Sequence, residues 1–115
     1  RLGVSAALLK KHGAVSPEVA SAMAEGIVQE TGASIGLATT GIAGPSGGTR
    51  KKPVGLVFSA VSCNGMTRVS RRVFPGDRRE VKERASNFAL NMVRRALLEE
   101  GRRGRKKMGR HRNGF

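Results

Sequence analysis

Apolar residues recur along this chain with two different periods, and the change of period divides it into elements. Ala20, Met23, Ala24, Ile27 and Val28 are spaced by three and four, which lays one apolar stripe along a helix. Its start is written as Ser16 at the N-cap, Pro17 at the first helical position and Glu18 in the first turn. Gly32 closes it after Thr31. Upstream, Ser5 caps a short helix through Lys11, with Leu8 and Leu9 inward and Gly13 just beyond. Ser34 to Thr40 is short, apolar and ends in two β-branched residues, the pattern of a strand. Val54 to Cys63 is a second strand, Asn64-Gly65 a two-residue hairpin signal, and Met66 to Phe74 the returning third strand. In that third strand Val69, Arg71 and Val73 alternate with Arg68 and Arg72, as at a sheet edge or a partly wet face. Pro75-Gly76 then turns the chain, and Asp77 with Glu80 forms a capping box for the final helix. Val81, Ala85, Phe88, Met92, Val93 and Ala96 line its buried side. Glu99 and Glu100 close it where carboxylates oppose the helix dipole, so that end is expected to fray.

This order predicts an α/β domain, a mixed sheet covered by helices. Three strands are few for a sheet with helical cover on both faces, and the chain starts at Arg1 rather than Met. The expectation is therefore a fold incomplete at its N-terminus, through processing or truncation. At 115 residues there is chain for one domain. No apolar run approaches the ~20 residues of a membrane span, and no signal peptide is visible. Single Cys63 cannot form an internal disulfide, which fits a reducing cytoplasm, and its place in a strand reads as a small buried hydrophobe.

Charge changes the picture at one end. The net charge of +14 is uneven: residues 101–115 hold seven Lys or Arg and no acid, against fifteen basic and eight acidic residues before them. This tail lacks apolar periodicity and is expected to be disordered. It is either a solvated appendage or a polyanion-binding segment acting by counterion release.

The candidate chemistry centres on Thr39-Thr40-Gly41-Ile42-Ala43-Gly44-Pro45-Ser46-Gly47-Gly48-Thr49, a glycine-rich loop at a strand end. Glycine lets backbone approach a ligand, and successive N–H groups in such turns form anion cradles. It is not a P-loop, since the Gly-Lys-Ser/Thr ending is absent; alone it fits either an anion site or an ordinary connection. Thr39 and Thr40 bring hydroxyls. Arg78 and Arg79 open the last helix, where cations are mildly unfavourable, which favours an anionic partner over a merely solvated pair. His12 reads as a helix-end residue rather than a base, and no Cys/His cluster has metal spacing.

Three spaced motifs carry a resemblance. Gly13-Ala14-Val15-Ser16 running into Glu18-Val19-Ala20 and Ala22-Met23-Ala24 is one. Thr40-Gly41-Ile42-Ala43-Gly44-Pro45 with Gly47-Gly48 and Lys52-Pro53-Val54-Gly55 is the second, and Phe74-Pro75-Gly76-Asp77-Arg78 the third. In order from about Leu2 to Leu98, they resemble the CinA C-terminal domain family, the competence- and damage-inducible proteins. The resemblance implies a three-layer α/β/α fold and a nicotinamide-nucleotide amidohydrolase of pyridine nucleotide salvage. Such an enzyme hydrolyses nicotinamide mononucleotide to nicotinic acid mononucleotide and ammonia, without metal or cofactor, as a cytoplasmic dimer or larger homo-oligomer. By the same analogy Thr40, Gly41, Ala43, Gly44, Gly47 and Gly48 contact the nucleotide and Arg78 holds its phosphate. The family's Glu-Ser-x-Thr-Gly-Gly helix start, and the hairpin with Tyr and Lys that follows, have no counterpart in these residues, which contain no tyrosine. Residues 1–100 are thus expected to form a family-like domain lacking its catalytic helix and hairpin, without turnover and with no catalytic residue of its own; 101–115 form the basic tail. The rival expectations are a basic module binding nucleic acid non-specifically through that tail, and a non-catalytic fragment.

Overall fold

The computed structural model describes residues 4–41 and 52–113, with side chains as far as residue 101. Helix α1 (Ala6–His12) starts at Ser5, whose hydroxyl accepts the Leu8 N–H at 3.1 Å. Helix α2 (Pro17–Thr31) has the predicted bounds because each end is closed chemically. Ser16 Oγ accepts the Val19 N–H at 3.2 Å and donates to the Gly13 carbonyl at 2.9 Å, while left-handed Gly32 returns its N–H to the Val28 carbonyl.

Strands β1 (Ile35–Gly41), β2 (Leu56–Cys63) and β3 (Met66–Val73) form a sheet in that spatial order. Asn64 and Gly65 both take positive φ, 51° and 76°, as a type I′ turn requires, and this fixes the register from Cys63↔Met66 to Leu56↔Val73. β1 pairs β2 from Ile35↔Cys63 to Gly41↔Val57. Both pairings are antiparallel, which corrects the expected mixed sheet among the described residues. The described helices flank the three strands in chain order. None sits between two strands as the crossover of a parallel pair would.

β2 is central and buried on both faces, and its alternation sorts the layers. Leu56, Phe58 and Ala60 pack with Ala38 of β1 against Ala20 and Ala24 of α2. Val57 on the opposite face packs against Val81 and Ala85 of helix α3 (Arg78–Asn113), with Phe74 beside them. Helices on both faces of the sheet give the expected α/β/α layering. On β3, Val69 and Val73 remain partly exposed, as the alternation with arginine predicted for an edge.

Helix α3 departs from expectation at its far end. The Asp77–Glu80 capping box is present in both directions, at 3.1 and 2.9 Å. Along the buried side, Val81, Ala85 and Ala96 are joined by Ala89, while Phe88 is half-buried and stacks edge-on to Phe74 at 5.9 Å. The end near Glu99 and Glu100 is held rather than frayed. Arg68 of β3 pairs with Glu99, one N–H···O contact measuring 2.7 Å, and Asn64 in the hairpin donates to Glu100. Because α3 continues beyond them, Glu99 and Glu100 lie inside the helix and do not meet the dipole of its end. Past them, the backbone stays helical to Asn113, through most of the segment that composition alone predicts to be a disordered tail. Lys and Arg are good helix formers, and cations suit a helix C-terminus, which offsets three glycines.

Candidate functional site

The C-terminal end of β1 and the opening of α3 meet across Val57 of β2, and a cleft of about 340 Å³ lies between them. That volume falls within the range of small-molecule sites. Thr39, Thr40 and Gly41 form its strand wall. Arg78, Lys82 and Ser86 form its helical wall, with Val81, Ala85 and Val57 between them. The spacing of the three helical residues is i, i+4 and i+8, so they stand in one row up the helix. Because Val81 and Ala85 belong to the buried stripe, the cleft has an apolar floor beneath a cationic wall.

The sequence-predicted residues divide at this point. Gly41 and Arg78 line the cleft together. Ala43, Gly44, Gly47 and Gly48 lie outside the described residues. Thr40 borders the cleft, but its hydroxyl is engaged elsewhere. In the register it shares a face with Phe58, toward α2, and it donates to the Ala14 carbonyl at 2.7 Å. Strand alternation then places Thr39, opposite Ser59, on the α3 face, where it is exposed. Of the paired arginines, Arg78 lines the cleft and Arg79, the next position round the helix, does not.

Lys82 and Ser86 were not singled out from the sequence. Their signal was present as the helical repeat from Arg78, but without the sheet's position nothing showed that this row faces a wall. Ser86 donates its hydroxyl back to the Lys82 carbonyl at 2.9 Å, so it offers the cleft only lone pairs. The cations are therefore the groups that attract a ligand. Two of them one helical turn apart, one a guanidinium that can bind two oxygens at once, suit a phosphoryl or carboxylate group rather than a neutral one.

Other motif residues have structural work. Lys52 Nζ donates to the His12 carbonyl at 3.2 Å. Gly55 accepts the Phe74 N–H at 2.9 Å, and Arg84 donates to the Pro75 carbonyl; these bonds tie the approach to β2 and the turn before α3. His12 Nδ1 stands 3.5 Å from Glu18 at a helix end, away from the cleft. Cys63 is partly exposed at the end of β2, where a buried position was expected, because the strand runs out there into the hairpin. Among the described residues no group of His, Cys, Asp and Glu is arranged to hold a metal ion, and no helix is long and apolar enough to cross a membrane.

Residues 1–97 match the family model described as the CinA C-terminal domain. A CinA-like protein of Kosmotoga olearia is 54% identical over 98 residues, which is 85% of this chain and 24% of that protein. A putative competence-damage inducible protein of Clostridioides difficile is 50% identical over 94 residues, 82% of this chain and 22% of that one. Among solved structures, the competence damage-inducible protein A of Klebsiella pneumoniae superposes with a TM-score of 0.79 at 37% identity. That match covers 84% of this chain and 60% of the other. The chain thus spans about a quarter of the length of the curated relatives it matches.

Proposed function

This chain belongs to the CinA C-terminal domain family, and on that premise we propose that its cleft binds the phosphate of a pyridine mononucleotide, the substrate of a nicotinamide-nucleotide amidohydrolase. One observation carries the reading: Arg78 and Lys82 stand a turn apart on α3, facing the end of β1 over an apolar floor. Arg78 takes two phosphate oxygens and Lys82 a third, while the hydrophobic floor of Val57, Val81 and Ala85 lies under the uncharged part of the ligand. Thr39 supplies an exposed hydroxyl at the strand side.

Hydrolysis of the amide needs a nucleophile that attacks the carbonyl carbon and donors for the oxyanion, after which ammonia leaves and water completes the exchange. The family's serine motif and activating lysine have no match in these 115 residues. The part of the reaction assigned to this chain is therefore to seize and orient the nucleotide. Calorimetric titration tests that role. Nicotinamide mononucleotide should bind at least about tenfold more tightly than nicotinamide riboside, and Arg78→Ala should remove most of the difference, leaving the share held by Lys82. Equal affinity for the two ligands refutes the site. Ammonia release by a protein carrying the family's serine segment ahead of these residues tests the chemistry separately.

A further inference from the structure

The cationic stretch after Glu100 is not used by the cleft, and its backbone is helical. From Arg102 to Arg112 the sequence places seven Lys or Arg and no acid. At 1.5 Å per residue that segment of α3 is about 15 Å long, so it carries one cation per roughly 2 Å of axis. Duplex nucleic acid carries one phosphate per ≈ 1.7 Å of its own axis. The two linear charge densities are nearly equal and opposite. The segment lies beyond the last side-chain tethers described for α3, the pairs Arg68–Glu99 and Asn64–Glu100, which anchor its root to the hairpin.

From this match we infer that the end of α3 is a docking element for the phosphate backbone of duplex nucleic acid. The same composition decides against other polyanions. A helix that lies in an anionic membrane surface needs an apolar face, and residues 101–113 contain one apolar side chain, Met108. Single strands are held by stacking bases on aromatic rings, and Phe115 is the only aromatic residue after Phe88. What is left is a helical backbone segment of cationic sequence, which suits backbone phosphate without reading bases. Sequence preference is accordingly not expected.

The experiment uses the full chain and a 24-base-pair DNA duplex labelled for fluorescence anisotropy. With six to seven phosphates neutralised, the slope of log K against log salt is about −5 to −6, and affinity falls roughly 10³–10⁴-fold between 50 and 200 mM salt. Replacing Arg102, Arg103, Arg105, Lys106 and Lys107 together by Gln keeps good helix formers in place and leaves two cations in that segment, Arg110 and Arg112. The slope should drop to about −2. A duplicate duplex of unrelated sequence should bind within about twofold. A wild-type slope shallower than −2, or a glutamine variant that binds as well as the parent with unchanged helix content by circular dichroism, overturns the inference. Tighter binding to vesicles of one-third phosphatidylserine than to the duplex also overturns it.

Discussion

Replacing Gly36 with alanine tests how closely α2 approaches the sheet. Gly36 lies on β1 directly under α2, where Ala20 and Ala24 are fully buried and let the helix backbone come down onto the strand. A Cβ at this position would stand 2.3 Å from the Ala24 carbonyl oxygen and 3.1 Å from Val28 Cγ2. The first contact is roughly 0.7 Å inside the 3.0 Å below which real Cβ contacts are essentially never seen. Its partner is helix backbone, which cannot swing aside as a side-chain end would. Either α2 lifts or β1 sags, and both open the cluster around Phe58. Overpacking of this kind destabilises by about 1–3 kcal/mol. With an m-value near 2 kcal/mol per molar urea, the unfolding midpoint should fall by roughly 0.5–1.5 M. Gly101→Ala is the control of opposite sign. Nothing lies within 4 Å of a Cβ there, the backbone is helical, and alanine should stabilise by about 0.5–1 kcal/mol. A Gly36→Ala midpoint within about 0.2 M of the parent would show that α2 does not sit this close to the sheet.

Thr40→Val leaves the Ala14 carbonyl without its donor and should lower stability by about 1 kcal/mol in a thermal melt, whereas exposed Thr39→Val should change it by less than about 0.5 kcal/mol. Asp77→Ala removes the acceptor of the Glu80 N–H and should destabilise by about 1 kcal/mol, read from urea midpoints. Glu99→Gln breaks the half-exposed pair with Arg68. Its effect should not exceed about 1 kcal/mol at low salt and should vanish near 1 M salt; a loss that persists there assigns the residue a packing role instead. Lys82→Ala should weaken nicotinamide mononucleotide binding severalfold without altering the melting temperature, because the residue is exposed on the cleft wall.

The local elements were fixed by short-range chemistry, and that is why they could be read along the chain. Ser16, Pro17 and Gly32 bound α2, Asn64-Gly65 sets the hairpin register, and Asp77 with Glu80 begins α3; each acts through bonds spanning a few residues. Motif spacing likewise identified the family. Strand direction, the face each threonine presents and the anchoring of α3 at Glu99 depend on partners dozens of residues away. Thr40 is taken by Ala14, twenty-six positions upstream, and Glu99 is held by Arg68, thirty-one positions upstream. The row Arg78, Lys82, Ser86 exists in any helix of this sequence. Only the packing of Val81 and Ala85 on Val57 turns that row toward the end of β1 and makes a wall of it. Burial of the apolar stripe sets the rotation of α3 about its own axis, and the neighbouring polar positions follow.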